Sequence, residues 1–397
     1  MRVAAPVGAM LLLLSGCGGG GGSSTGPIAL PTGSNVAPVT VDSGPAGTVN
    51  TAFVSVTVCA PGTADCQTVD HVLVDTGSSG LRLVASVLPA SFTLPALEDN
   101  AGNALAECLA FADGFAFGSV KQADVKIAGE QASALPIQLI GDAAFAAVPS
   151  DCSGVGPAED TVQALGANGV LGLSTFREDC GSDCAASALP ANYYSCPQGS
   201  CAPAAVPLAS QVQNPVWRFP VDNNGSSLVM RSVDPAGAAL VQGALVFGID
   251  TQGNNALGSA TVLGVDADTG DFTTLYKGSS LTSSFIDSGS NGLFFDDSAL
   301  PKCPQAIGSD FYCPASVQSL TATLQSGGVN RDVPFKVANA QTLFSANTDF
   351  VAFGTLAGTA AFSGSFDWGL PFFYGRQVFV AIEGQSTAAG PGPFVAF

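Results

Sequence analysis

A short pattern occurs twice in this chain and constrains the fold more than any other feature of the sequence. The two copies are LVDTGSSGLR, from Leu73 to Arg82, and FIDSGSNGLF, from Phe285 to Phe294. Each copy places an Asp after two apolar residues and before a hydroxyl residue and a Gly, which is the pattern of a strand that runs into a tight turn. The sequence therefore predicts two similar strand–turn units whose carboxylates can meet across a pseudo-twofold axis.

The acidic residues of the two turns, Asp75 and Asp287, are the candidate catalytic pair. Two carboxylic acids about 3 Å apart cannot both ionise at low cost, so they share one proton and titrate as a unit. The ionised partner can then activate a water molecule, while the protonated partner polarises a peptide carbonyl.

Three residues after each Asp are predicted to support the pair. The hydroxyl residue next to the Asp is expected to lock the two turns together, and the Gly to permit their close approach. The second hydroxyl is expected to donate to the outer carboxylate oxygen. These supporting residues are Thr76, Gly77 and Ser78 in the first turn and Ser288, Gly289 and Ser290 in the second.

Further segments of the chain resemble elements of the pepsin-like bilobal aspartic peptidases. Together with the two turns they follow the order of that family over residues 48–384, with longer insertions between them. The segments are LAFADGFAFGSVKQADVKIAG (109–129), similar to the flap hairpin and the strand after it; GVLGL (169–173), similar to the apolar-apolar-Gly element behind the first Asp; GALVFGID (243–250), similar to the strand between the lobes; and WGLPFFYGRQVFVAIEG (368–384), similar to the element behind the second Asp. By overall character the chain most resembles a bacterial group of secreted, pepsin-like lipoproteins of unassigned function.

The resemblance implies an all-β protein of two lobes related by pseudo-twofold symmetry. Residues 41–252 would form the N-terminal lobe with Asp75, and residues 253–397 the C-terminal lobe with Asp287. The implied activity is that of an aspartic endopeptidase, a monomer without cofactor or metal. Its peptide or protein substrate would lie extended across the cleft beneath the hairpin, and an insertion at residues 190–224 would shape one rim.

Three positions depart from the family pattern. The flap residue is Phe111, which keeps a ring over the cleft but lacks the hydroxyl of the usual Tyr. Arg82 stands where the family has Trp, and Pro371 replaces the Gly of the second apolar-apolar-Gly element, which removes a backbone N–H. These changes motivate an alternative, a catalytically silent protein that binds peptide, glycan or a partner protein in the cleft.

A structural or adhesive envelope protein is a third interpretation, because Asp-Thr-Gly and Asp-Ser-Gly are also ordinary turn sequences.

Composition favours β-structure and argues against some partners. Short apolar runs with abundant Gly, Pro, Thr, Val and Phe are typical of strands, whereas residues 141–147 and the segment around Ala299 are either short helices or loops. The net charge of −19 argues against nucleic acid and anionic lipid as partners, because binding of phosphate needs clustered Lys and Arg. The only histidine, His71, lies on the strand before Asp75, where we predict a structural role rather than that of a nucleophile's base.

The N-terminus predicts export and a lipid anchor. Residues 1–16 contain one basic residue and an apolar run, and they end in Leu-Ser-Gly before Cys17, as in a bacterial lipoprotein signal peptide. Cys17 would carry the lipid, and residues 17–40, rich in Gly and Ser at their start, would tether the folded part to the cell envelope. The Gly after Cys17 favours the outer membrane by family resemblance. A plain secretory signal is the alternative.

The cysteines predict an oxidising compartment. There are eleven, so ten remain when Cys17 is lipidated. Spacing predicts the pairs Cys59–Cys66, Cys108–Cys152 and Cys303–Cys313. The remaining four, Cys180, Cys184, Cys196 and Cys201, can pair sequentially or in nested order, and a zinc site is the alternative for these four thiols.

Overall fold

The structure is a computed structural model that describes residues 28–304 and 310–397. These residues form many short strands and a few helices of four to seven residues. The helices are α1 (Ser150–Ser153), α2 (Val162–Leu165), α3 (Ser182–Ala186), α4 (Ala340–Ala346) and α5 (Leu370–Phe373). The strands are β1 (Val36–Val41), β2 (Ala52–Cys59), β3 (Cys66–Asp75), β4 (Ser79–Val84), β5 (Leu105–Ala110), β6 (Phe115–Ile127), β7 (Glu130–Ile140), β8 (Gly169–Leu173), β9 (Tyr193–Ser195), β10 (Ala202–Pro203), β11 (Gly225–Met230), β12 (Val241–Phe247), β13 (Val262–Gly264), β14 (Phe272–Tyr276), β15 (Ser279–Ile286), β16 (Leu293–Phe295), β17 (Gln318–Ser326), β18 (Val329–Val337), β19 (Ala357–Gly358), β20 (Phe366–Trp368), β21 (Gln377–Ala381), β22 (Ser386–Thr387), β23 (Gly390–Pro391) and β24 (Phe394–Ala396).

The predicted mainly-β class is confirmed. β-Branched and aromatic residues dominate the buried strands, as in AFVSVTVC of β2, because such side chains pack well on a pleated surface. Residues 143–145 form one 3₁₀ turn, and the segment around Ala299 forms a turn rather than a helix. None of the helices in the described ranges has the length and apolar character needed to cross a bilayer.

The largest sheet has the strand order β10-β9-β5-β6-β7-β4-β8-β3-β2-β1-β12-β11-β21-β24-β13. β6 also pairs with β2, so that β2, β3, β8, β4, β7 and β6 close into a barrel-like ring around the first Asp motif. At the other end of this sheet, β11 pairs with β21, which joins strands from before and after residue 252. That predicted boundary lies in the segment between β12 and β13.

A second sheet, of order β18-β17-β14-β15-β20-β16-β19, contains the second Asp motif. Its core is aromatic. Phe366 stacks on Trp368 with ring centroids 4.0 Å apart, and Phe295 stacks on the other side of Phe366 at 4.6 Å. All three side chains are buried, so they fix β20 against β16 through apolar contact.

The two motifs lie in the same arrangement of four strands. β3 pairs with β8 in parallel, β8 with β4 antiparallel, and β4 with β7 in parallel. In the second sheet, β15 pairs with β20 in parallel, β20 with β16 antiparallel, and β16 with β19 in parallel. The chain therefore repeats one topology around each Asp, as the repeated sequence pattern predicts.

The three disulfides that the spacing of the cysteines predicts are confirmed. The structure contains Cys59–Cys66, Cys108–Cys152 and Cys303–Cys313. The four remaining thiols pair sequentially, as Cys180–Cys184 and Cys196–Cys201. Because all four sulfurs are in disulfides, the alternative of a zinc site at these residues is wrong.

The folded part begins earlier than predicted. The tether was expected to reach residue 40, but Val36–Val41 forms β1 and pairs along its whole length with β12. The alternating burial of this segment, with Val39 and Val41 inside, explains why it joins the sheet. The predicted signal peptide and Cys17 lie outside the described residues.

Candidate functional site

Two hydroxyl side chains bind the Asp turns to each other. The Ser288 amide donates to Thr76 Oγ1 at 2.9 Å, and the Thr76 amide donates to Ser288 Oγ at 3.1 Å. Thr76 Oγ1 in turn donates to the carbonyl of Ile286 at 3.1 Å, and Ser288 Oγ to that of Val74 at 2.6 Å. Each hydroxyl thus satisfies one donor and one acceptor of the opposite turn, which orients both turns without any flexible side chain.

The inner carboxylate oxygens are held by backbone amides. Gly77 N donates to Asp75 Oδ1 at 2.7 Å, and Gly289 N donates to Asp287 Oδ1, also at 2.7 Å. These short bonds within each turn fix the carboxyl planes. The two acids therefore face each other with the same geometry, related by the repeat of the turn.

The outer carboxylate oxygens each accept a hydrogen bond from a serine. Ser78 Oγ donates to Asp75 Oδ2, and Ser290 Oγ donates to Asp287 Oδ2 at 2.9 Å. The structure thus brings together all the residues that the sequence placed at the site in these two turns. Their catalytic roles are not tested by this geometry and remain predictions.

Glycine is required where the two turns meet. A Cβ atom built on Gly77 would lie 2.7 Å from Cγ of Asp287, and one built on Gly289 would lie 2.7 Å from Oδ1 of Asp75. Real side chains do not approach this closely. Each carboxylate therefore lies directly against the backbone of the opposite turn, in space that only Gly leaves open.

The environment favours a protonated Asp287. Loss of contact with water raises its pKa well above the ordinary value, and the negative charges of Asp75 and Asp367 raise it further. Asp75 is buried, with 6% of its surface exposed. Asp287 therefore keeps its proton to higher pH than an ordinary aspartate does.

A third carboxyl at the site, Asp367, was missed by sequence reasoning. It lies on β20, and its pKa is raised to about 8, first by burial and then by the charge of Asp75, while a hydrogen bond with Ser290 acts in the opposite direction. A sequence signal existed: the element behind the first Asp reads Val-Leu-Gly at 170–172, and the second reads Asp-Trp-Gly at 367–369. Alignment on the Gly would have exposed the substitution of Asp for Val.

The same alignment corrects the prediction for Pro371. Gly369, not Pro371, takes the place behind the second Asp, just as Gly172 lies beside Asp75. A Cβ on Gly369 would meet the Gly292 carbonyl oxygen at 2.1 Å, so no other residue fits there. Pro371 is instead the second residue of α5, a position where the missing N–H of proline costs nothing.

Arg82 forms a buried ionic network behind the first turn. Its Nη2 lies 2.6 Å from Glu107 Oε1 and 3.0 Å from Asp179 Oδ2, and its Nη1 donates to the Ser79 carbonyl at 2.6 Å. Burial raises the pKa of Asp179 well above its usual range, and the charge of Glu107 adds to this effect. Tyr193 completes the network by donating to Asp179 at 2.6 Å. The sequence indicated only that Arg82 departs from the family; its ion pairs join β4 to β5.

The predicted flap is the hairpin of β5 and β6. Phe111 is half-buried in its turn, where its amide donates to the Gly114 carbonyl at 2.8 Å. The hairpin is fastened from outside by the Cys108–Cys152 disulfide and by hydrogen bonds between Phe115 and residues 157 and 159. This hairpin is therefore held by covalent and backbone contacts to the segment around α1.

Other sites offer less. In the described ranges no group of three or more His, Cys, Asp or Glu side chains is arranged to hold a metal ion. A cavity of about 180 Å³ lies beside α5 and is lined in part by Trp368, Phe372 and Arg376, but neither acid of the pair lines it. The side chain of His71 is 32% exposed, and its Nε2 lies 3.4 Å from Asp42 Oδ1.

Comparison with known proteins places the chain in a family. No curated protein matches its sequence. One family profile, described as "Protein of unknown function (DUF3443)", matches residues 31–397. This match covers nearly all of the described residues, including both Asp turns and the segment of β20. The chain therefore belongs to the DUF3443 family.

Proposed function

We propose that this protein is a pepsin-like aspartic endopeptidase of two lobes that cleaves peptide bonds with a water activated by Asp75 and Asp287. The observation that carries the proposal is the interlocked pair of turns, in which each Asp is fixed by a Gly amide and a Ser hydroxyl. A turn with only a structural role would not require a second Asp turn whose carboxylate lies in close contact with its own. The raised pKa of Asp287 is what a shared proton requires.

The repeated topology supports the same proposal. The acids follow equivalent strands, β3 and β15, and each strand is flanked by the same parallel and antiparallel neighbours. Such a repeat gives two half-sites related by pseudo-twofold symmetry, so a peptide carbonyl between them meets one carboxyl from each side.

The mechanism follows from the two protonation states. Asp287 carries the shared proton and donates it to the carbonyl oxygen, while ionised Asp75 takes a proton from a water molecule whose oxygen bonds to the carbonyl carbon. The resulting gem-diol collapses when its C–N bond breaks. The departing nitrogen receives the proton from Asp75, and a diol hydroxyl returns a proton to Asp287. Both acids then regain their starting states.

Location is part of the proposal. Disulfides at five positions are typical of an oxidising compartment outside the cytoplasm. With a lipid on Cys17, the enzyme would work at the surface of the bacterial envelope on exported proteins or peptides. The acidic surface fits a peptide substrate rather than a nucleic acid.

One observation favours the second candidate function, peptide binding without cleavage. Phe111 gives the hairpin no hydroxyl to direct toward the pair, and the outside contacts of the hairpin limit its movement. A cleft with a fixed cover can retain a peptide longer than an enzyme with fast turnover would. The carboxyl pair, which a simple binder does not need, is the argument against it.

The test is cleavage of a mixed peptide library by the full chain exported to an oxidising compartment. Products would be identified by mass spectrometry from pH 3 to pH 8, with a preparation of Asp75→Asn treated in parallel. We expect new termini that the variant does not produce. Intact peptides together with measurable retention of peptide on the folded protein would favour the binding function instead.

A further inference from the structure

The third carboxyl has no equivalent in the first half of the molecule. In register, Leu73 pairs with Val170 on β8, and Phe285 pairs with Asp367 on β20. The two halves therefore place an apolar side chain and an acid at the same point of one topology. Burial of a carboxyl costs free energy unless something compensates it, so an acid at a position where valine fits calls for an explanation.

The surroundings of Asp367 offer little compensation. The residue is 8% exposed, and its Oδ1 has no hydrogen-bond partner. In the described part of the chain no cationic side chain forms an ion pair with it. The carboxyl is thus not neutralised by a structural partner.

The groups that face Asp367 belong to the site. β15 and β16 present Phe285 and Phe294 in register with it, and neither titrates. The charged groups that act on it are Asp75, which raises its pKa, and Asp287, whose own pKa it raises. Asp367 pairs with Phe285, two residues before Asp287, so the side chains of Asp367 and Asp287 project from the same side of the sheet.

We propose that Asp367 is a positioning residue whose negative charge, once it has ionised, holds the shared proton on the Asp75–Asp287 pair. This inference rests on the proposed function, because it assigns a working protonation state to the pair. When Asp367 ionises, its negative charge beside Asp287 disfavours loss of the proton that Asp287 holds.

The sign of the effect follows from electrostatics. A like charge nearby disfavours ionisation, so Asp367 raises the pKa of Asp287. Removal of its charge must lower that pKa, and the pair must lose its proton at lower pH. The pair would thereby lose the upper part of the pH range in which it holds one proton.

The experiment is a carboxyl titration of the full chain with ¹³C-labelled aspartate, from pH 3 to pH 10. Parent, Asp367→Asn and Asp367→Val would be compared; the second variant copies Val170 of the first half and serves if the first fails to fold. Asp349→Asn, which removes an exposed charge elsewhere, is the matched control. Assignment of the parent spectrum also gives the midpoint of Asp367 itself.

We expect the Asp287 midpoint to fall by about 1–3 pH units in either Asp367 variant and to stay unchanged in the control. The high-pH limb of a cleavage profile should move to lower pH in the same variants. An unchanged Asp287 midpoint in both Asp367 variants would overturn the inference. Because the titration needs no substrate, a parent that cuts nothing but shows the shift would refute the peptidase and support the role of Asp367.

Discussion

Thr76 and Ser288 exchange hydrogen bonds through side chain and backbone: Ser288 N lies 2.9 Å from Thr76 Oγ1, and Thr76 N lies 3.1 Å from Ser288 Oγ. Both residues are buried, at 7% and 0% exposure. The contact joins residues 212 positions apart in the chain. It is the physical link that turns two local sequence patterns into one site.

Ser288→Ala should destabilise the protein by about 2–4 kcal/mol. The change leaves the Thr76 amide and the Val74 carbonyl without their partner, and each unsatisfied buried group costs about 1–3 kcal/mol. Urea unfolding measures the effect. Ser283→Ala, at an exposed position on β15, the strand that leads into this turn, should stay within about 0.5 kcal/mol of the parent. Equal stabilities of the two variants would contradict the role of the interlock.

Gly77→Ala and Gly289→Ala should lower activity on the order of 100-fold, because the new Cβ displaces the facing carboxylate. The carboxylates are side-chain groups that can rotate away, so we expect a smaller effect on the melting temperature. Gly253→Ala is the matched control, since no atom lies within 4 Å of the added Cβ. Activity that survives at both turns would show that the close contact is not needed.

Arg82→Met should cost about 3–5 kcal/mol of stability, since it leaves Glu107 as a buried acid without its cation. Arg82→Lys should restore little of the loss, because lysine cannot reach both acids and the Ser79 carbonyl at once. Denaturant unfolding would be compared with that of Arg231→Met, at an exposed position. A loss no greater than that of the control would mean that the network is dispensable.

The β5–β6 hairpin should become less stable as pH rises from about 4.5 to about 8. Burial, then the charge of Asp113, raises the pKa of Glu159 in the folded protein from 4.5 to about 8. In this window the folded state keeps a proton that the unfolded state has lost, so stability falls with increasing pH. Hydrogen-exchange protection of the Phe115 amide, which donates to the Pro157 carbonyl at 2.9 Å, reports on this region. Glu159→Gln should remove the pH dependence, and a slope that persists in that variant would assign it to another group.

The sequence predicted those features of the site and fold that are determined by residues close together in the chain. Asp75 and Asp287 stand in patterns of a few residues, and local spacing was enough for pairs such as Cys59–Cys66. The pairing of the four cysteines from 180 to 201 stayed open because all lie close in sequence, and only the folded structure gives the pairs Cys180–Cys184 and Cys196–Cys201.

What the sequence could not predict depends on strands that pair over long distances. Asp367 becomes part of the site only because β20 pairs in parallel with β15. β1 belongs to the fold because it pairs with β12, a strand far along the chain. From the sequence, Arg82 was only a replacement for the Trp of the family pattern. Its structural role depends on ion pairs with Glu107 on β5 and with Asp179. In each case the neighbour that matters is remote in sequence.

The most direct test of the account is the rate at which Asp75→Asn and Asp287→Asn cleave a peptide identified from the library, relative to the parent and to Asp70→Asn. Asp70 is an exposed acid on the same strand as Asp75, so its variant controls for a change in charge. The account predicts a loss of about 10²–10⁴-fold in each variant of the pair, with the fold preserved, and a normal rate in the control. A folded Asp75→Asn or Asp287→Asn protein that cleaves at the parental rate would contradict it.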